Sequence, residues 1–166
     1  MLGRQFTVLI VDDEEDIRNS LKRLLVRAYS TEIDLLFAGD GKEALKILET
    51  KRVDLSIIDL RMPEMDGFSL LKEINKNFNS VDVLILTGNG NVKDAVKAIG
   101  MGAADFLEKP FLNEEIRSRV EHFYKIWTLK EENSRLREEI AFTFGYEKLV
   151  GTAPAMLAIK RLISQA

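Results

Sequence analysis

Four chemically useful groups each follow or close a short apolar run. They are Asp12 and Asp13 after FTVLIV, Asp59 after VDLSII, Thr87 after VLIL, and Lys109 after ADFLE. Runs of this kind, rich in β-branched residues, read as buried parallel strands. Their polar ends should therefore gather at the carboxyl edge of one sheet, where open α/β sheets bind ligands. Three carboxylates brought together repel one another, so such a site must hold a cation or protonate one member. Hard oxygen ligands in small number suit Mg²⁺, which keeps several waters and shares its sphere with phosphate. A carboxylate can also act as a nucleophile, and attack on a phosphoryl donor yields an acyl phosphate. That transfer needs in-line positioning and positive charge on the phosphoryl oxygens. Lys109 can supply a point charge and the Thr87 hydroxyl a hydrogen bond.

Positioning these groups requires strict alternation of strand and helix. Strands are predicted near residues 6–11, 32–38, 53–58, 81–86 and 104–107. Between them, apolar residues recur at helical spacing, as in Ile17, Leu21, Leu24 and Ala28, and again in Leu71, Ile74 and Phe78. Asp40-Gly41, Pro63 with Asp66-Gly67, and Gly88-Asn89-Gly90 punctuate the pattern. The expectation is an α/β fold, a doubly wound five-stranded parallel sheet with helices on both faces. The 166 residues allow one such domain and an appendage. A net charge of −3 and the lack of any Lys/Arg block argue against direct nucleic-acid contact by this chain. There is no cysteine, no signal-like N-terminus and no run long enough to cross a bilayer, so a cytoplasmic protein without membrane association is expected.

After Lys109-Pro110 the pattern changes. Asn113 is a plausible N-cap, followed by Glu114 and Glu115, and neither Gly nor Pro interrupts the chain up to Ile140. A helix of roughly 28 residues would be about 42 Å long, more than such a sheet can cover. Ile116, Val120 and Phe123 suit packing on the sheet. Beyond them, Ile126, Leu129, Asn133, Leu136 and Ile140 repeat at 3,4 spacing, a coiled-coil seam with Asn133 at an a position. Glu132 at g and Arg137 at the following e favour parallel pairing into a homodimer, whereas Lys125 and Lys130 repel in the same arrangement; a solvated single helix is the alternative. FGYEKLVGTAPAMLAIKRLISQA then reads as the opening of a further domain, and no GxxxxGK[ST] phosphate loop occurs. The boundaries expected are 1–124, 125–142 for the helical coiled-coil linker, and 143–166.

The acid pair Asp12 and Asp13, Asp59 followed by MPEMDG, Thr87, Phe106 and Lys109-Pro110 resemble, in order and spacing, the receiver domain of two-component response regulators. The resemblance covers residues 6 to about 124. It implies the strand order 2-1-3-4-5, a flavodoxin-like receiver fold and a cis bond before Pro110. It further implies that Asp59 accepts a phosphoryl group from a sensor histidine kinase, and that Asp13, Asp59 and the backbone carbonyl of Arg61 ligate Mg²⁺, with Asp12 helping through water. Lys109 would contact the phosphoryl group, Thr87 and Phe106 would form a switch, and Arg61 and Asn89 would tune loss of the phosphoryl group to water. Gly88 departs from the Ala or Ser that many receivers carry. The linker ending EENSRLREEI and the following LVGTAPAM are similar to nitrogen-regulation-type, sigma-54-dependent activators, in which that last motif begins an AAA+ ATPase domain. The implied protein is a transcriptional regulator whose ATPase and DNA-binding domains lie outside this chain. Its own chemistry would be limited to self-phosphorylation from small donors and autodephosphorylation.

Plainer readings stand beside each residue. Acids at strand ends often cap the next helix; Thr87 could be satisfied by backbone, Lys109 solvated and Phe106 core. His122, the one histidine, reads as a surface or packing residue. An aspartate-nucleophile, Mg²⁺-dependent phosphatase of the haloacid dehalogenase type needs an acid two residues after the nucleophile, where this chain has Arg61. A receiver-like module that only binds partners usually lacks Asp59, Lys109 or the acid pair, and all are present here.

Overall fold

The computed structural model describes residues 4–88 and 92–149; of Val92 and residues 142–149 only the backbone is described. The expectations for Asn89 and Gly90, and for most of residues 143–166, therefore fall outside the described residues. The chain divides into two units, Met1–Lys125 and Ile126–Ala166.

In the first unit, β1 (Phe6–Val11), α1 (Glu15–Tyr29), β2 (Ile33–Ala38), α2 (Gly41–Thr50), β3 (Leu55–Asp59), α3 (Gly67–Asn77), β4 (Asp82–Thr87), α4 (Val92–Gly100) and β5 (Asp105–Glu108) alternate as expected, and α5 (Asn113–Leu149) follows. The five strands are parallel in the order β2-β1-β3-β4-β5. Every residue of β1 and β3 is buried, whereas β2 and β5, at the two edges, are only partly buried. Strands covered on both faces are largely apolar, which is why the inner ones read as near-continuous apolar runs, with Thr7, Ser56 and the terminal Asp59 as the buried polar residues of β1 and β3. Leu9, Val11, Ile58, Val83 and Ile85 pack on one face with Leu48, Leu70, Leu71 and Ile74 from α2 and α3. Alternation sends Val8, Ile10, Ile57 and Leu84 to the other face, where Leu21 and Leu25 of α1 and Ile116 and Val120 of α5 are also buried. Phe6 and Tyr29 meet Tyr124 on that side, with ring centroids 5.6 and 5.7 Å apart.

Two local devices bring helices to the carboxyl edge. Asp40 caps α2 by accepting from the amides of Lys42 and Glu43, and Asp66 caps α3 by accepting from Ser69 at 2.7 Å. Gly67 lets α3 begin directly against the end of β3, its amide donating to the Leu60 carbonyl at 3.0 Å. A Cβ at Gly67 would run into the Asp59 carbonyl oxygen and lie 2.8 Å from Leu60 Cα. The peptide bond between Lys109 and Pro110 is cis, as the resemblance implied.

The long helix is present, but it runs to Leu149 rather than ending at Ile140. The turn signal at Gly145 does not stop it, because an isolated glycine costs a helix only about 1 kcal/mol and the next proline is Pro154. In its first part Ile116, Val120 and Phe123 are buried, as the pattern required. In the second unit Leu129, Leu136 and Ile140 are exposed, Asn133 is exposed and Ile126 half-buried. No helix among the described residues is long and apolar enough to cross a membrane.

Gly67→Ala should lower the unfolding free energy by about 1–3 kcal/mol, because the added methyl meets backbone that cannot swing aside. Gly88→Ala, where a Cβ has no neighbour within 4 Å, should stay within about 0.5 kcal/mol of wild type. Urea unfolding curves of both variants check the contrast; equal losses would show that the β3–α3 approach has slack.

Candidate functional site

The carboxyl edge collects the four groups. Asp59 is the last residue of β3 and Thr87 the last of β4; Asp12 and Lys109 stand immediately after β1 and β5. Because β1, β3 and β4 are adjacent and in register, Val11 beside Ile58 and Asp59 beside Leu86, their ends lie side by side. Asp12 is fully buried, Asp59 6% exposed and Thr87 2% exposed. The Lys109 amide donates to the Thr87 carbonyl at 2.7 Å, which holds the β5–α5 loop against β4.

The Lys109 ammonium lies between the two buried acids. Its Nζ is 2.8 Å from Asp12 Oδ2 and 2.7 Å from Asp59 Oδ1. The remaining carboxylate oxygens take backbone donors, Asp12 Oδ1 from the Glu14 amide at 2.9 Å and Asp59 Oδ2 from the Arg61 amide at 2.7 Å. Burial pushes the Asp12 carboxyl above its ordinary value, and the Lys109 hydrogen bond offsets this only in part. Burial works to lower the Lys109 ammonium, but its hydrogen bonds to Asp12 and Asp59 outweigh that and hold it above the ordinary lysine value. The lysine is thus a firmly charged group.

The other predicted residues divide. Asp13 is exposed and its carboxylate has no partner among the described residues. Arg61 is also exposed. Phe106 shares its strand face with Glu108 and is 38% exposed, so the core reading of it does not hold; an edge strand covers only part of that face. His122 is exposed, as its plain reading had it. Among the described residues no group of three or more acids, histidines or cysteines is placed to hold a metal ion. An open cluster is what a Mg²⁺ that keeps most of its waters needs. The donors here are all oxygen, two buried carboxylates and one free exposed one, and they fit that ion.

Sequence reasoning missed Arg18. Its guanidinium turns back from α1, with Nη1 2.5 Å from the Asp12 carbonyl oxygen and 3.2 Å from that of Asp13. The only sequence signal was a cationic residue one turn beyond the acid pair. Glu64, in the loop after Asp59, adopts a left-handed φ of 63° and pairs with Lys42 at 2.7 Å. That too was not legible beforehand.

Residues 8–121 match the response regulator receiver domain family. Over 162 residues the chain is 37% identical to an NtrX-like response regulator of Rickettsia bellii, covering 96% of this chain and 32% of that protein. The chain thus spans about a third of the length of that relative. Among solved structures, NtrX from Brucella abortus matches with a TM-score of 0.71 at 32% identity, over 98% of this chain and 35% of that one. A signal receiver domain from Vibrio parahaemolyticus matches with a TM-score of 0.71 at 30% identity, over 77% of this chain and 96% of that one.

Removing the bridging cation should expose the electrostatic cost of the site. In chelator near pH 7.5, Lys109→Met should lose roughly 3–5 kcal/mol of stability, the cost of breaking a buried pair. An acid whose folded pKa lies above its unfolded one binds more protons when folded, so its cost to stability fades as pH falls through the folded pKa. Without Lys109 the Asp12 carboxyl rises further, and the deficit of the variant should shrink toward about pH 4.5. Urea unfolding at both pH values checks this; a deficit independent of pH would mean that the lysine stabilises by packing alone.

Proposed function

The chain belongs to the response regulator receiver domain family, and from that premise we propose that Asp59 is its phospho-acceptor. The observation that carries the reading is the Lys109 ammonium bridging Asp12 and Asp59 at the sheet's carboxyl edge. An Asp59 oxygen attacks phosphorus in line; the new O–P bond forms as the P–N bond of a kinase phosphohistidine breaks, and the leaving imidazole nitrogen keeps the bonding electron pair. Lys109 exchanges its contact with the attacking carboxylate for one with a phosphoryl oxygen and remains charged throughout. Asp12, Asp13, Asp59 and the Arg61 carbonyl would hold Mg²⁺, which when bound supplies further positive charge to the phosphoryl oxygens. Arg61 stands where an aspartate-nucleophile phosphatase would carry its second acid. Its backbone amide donates to one Asp59 oxygen, and its side chain supplies no carboxylate to act as a second acid.

The Thr87 hydroxyl then donates to the phosphoryl group, and the half-exposed Phe106 turns inward behind it. Arg61 and Asn89 tune hydrolysis. The module is regulatory, with self-phosphorylation and autodephosphorylation as its only chemistry. Similarity along 96% of the chain to an NtrX-like regulator supports a wider reading. In it, the protein is cytoplasmic, a sensor histidine kinase phosphorylates residues 1–124, residues 125–142 pair two chains, and residues 143–166 open an AAA+ domain of a sigma-54-dependent activator, with a DNA-binding domain beyond. The exposed seam of Leu129, Leu136 and Ile140 suits a second copy of the same helix.

A small acyl-phosphate donor with Mg²⁺ should label wild type at Asp59 with a hydroxylamine-labile group and leave Asp59→Asn unlabelled. Mass spectrometry of the intact protein reads the result. Labelling without metal, or undiminished labelling of the variant, would sink the assignment.

Residues 1–141 should sediment as a dimer, and a version ending at Tyr124 should dissociate more readily. Asn133→Val should tighten association while loosening the choice of oligomer state, because a buried polar a position trades stability for register. A monomer at high concentration in the longer version would refute pairing through this helix.

A further inference from the structure

The acid pair presents a positional problem that its side chains do not solve. Asp12 is held at both oxygens, by the Glu14 amide and by Lys109. Its own amide donates to the Ala38 carbonyl at 3.2 Å. Asp13 has none of this: its carboxylate is exposed and without a partner among the described residues. What the fold fixes for Asp13 is therefore its backbone, and with it the direction of the Cα–Cβ bond from which the carboxylate extends.

One side chain grips that backbone. Arg18 Nη1 reaches the carbonyl oxygens of both Asp12 and Asp13, at 2.5 and 3.2 Å. The two peptide units so fixed lie on either side of the Asp13 α-carbon, the first of them joining the two acids. The arginine is itself anchored one turn into α1, where its amide donates to the Glu14 carbonyl at 3.2 Å. The bond therefore ties the β1–α1 loop to a rigid element rather than to another loop.

Resting on the reading of Asp12, Asp13 and Asp59 as Mg²⁺ ligands, we infer that Arg18 is a positioning residue for that ion: it pins the Asp12 and Asp13 carbonyls and so fixes the backbone from which the Asp13 carboxylate reaches the ion. Charge alone would give the opposite role. A guanidinium beside a cation site repels the cation, so an arginine acting only through its field would weaken metal binding and its loss would tighten it. An arginine acting through its hydrogen bonds strengthens metal binding, and its loss weakens it. The sign of the effect separates the two. Groups that orient metal ligands typically cost 10–100-fold in affinity when removed, and the relief of repulsion works against this, so a loss of about tenfold is expected.

The test is calorimetric titration of Mg²⁺ alone, with no phosphoryl donor, into wild type, Arg18→Gln and Arg18→Lys, under conditions where urea curves show each protein folded. Arg18→Gln should bind about tenfold more weakly. Arg18→Lys should regain part of the loss, since a single donor nitrogen makes both bonds in wild type. Wild type that binds and Arg18→Gln that binds equally or more tightly would overturn the role of Arg18 and leave the site intact. Wild type that binds no Mg²⁺ would overturn the metal reading, and this inference with it. Stability measured in chelator supplies the remaining control, because an arginine that only braced the fold would lower the unfolding free energy and leave the affinity of the folded protein unchanged.

Discussion

A single ammonium group between two buried carboxylates is the interaction on which the carboxyl edge depends. Asp12 and Asp59 are removed from water, and each needs a positive neighbour in a medium where charge is weakly screened. Lys109 is that neighbour for both, so its own charged form is stabilised by the two acids it lies between. Every other feature of the edge serves to keep the three groups in reach. Parallel register aligns the ends of β1, β3 and β4, the Lys109 amide fastens the last loop to Thr87, and Gly67 lets α3 start without displacing Asp59.

The opposite edge shows by contrast why a lysine suits this task. There Asp54 accepts both prongs of the Arg4 guanidinium at 2.8 Å and the Thr7 amide at 2.9 Å. An arginine fork on a carboxylate is directional and hard to exchange, which serves a structural tie between strands. A lysine is a point charge on a flexible stem and can pass from a carboxylate oxygen to a phosphoryl oxygen without losing its role. Buried aspartates at opposite ends of the sheet, Asp54 at one and Asp12 with Asp59 at the other, thus carry different cations, one suited to staying and one to moving.

The long helix divides its surface in the same economical way. Its first part covers the sheet with Ile116, Val120 and Phe123. Further along, Leu129, Leu136 and Ile140 remain exposed at a spacing that one chain does not bury, and their neighbours Lys130, Glu132 and Arg137 are charged. An apolar seam with charged flanks is favourable only when it meets another like it. The helix continues beyond Ile140 because helical hydrogen bonding propagates at small cost through a single glycine.

The order of elements, the buried inner strands and the edge at which the acids gather were legible in the residues alone. They follow from local rules: an apolar run buried on both faces, the two-residue period of strands, the turn preferences of Gly, Pro and Asp. The start of α5 was readable to within one residue, Asn113 being its first residue rather than its cap, and so was the inward face of its first turns. What the chain order could not express was which acids end up buried and what they touch. Asp12 and Asp13 are neighbours of one residue type, yet one is sealed beneath Lys109, 97 residues away, and the other faces solvent. The exposure of Phe106, the grip of Arg18 on two carbonyls and the backbone contact that requires Gly67 were likewise set only when the elements packed. Burial and charge pairing depend on distances through space, and those exist only once the sheet has brought remote parts of the chain together.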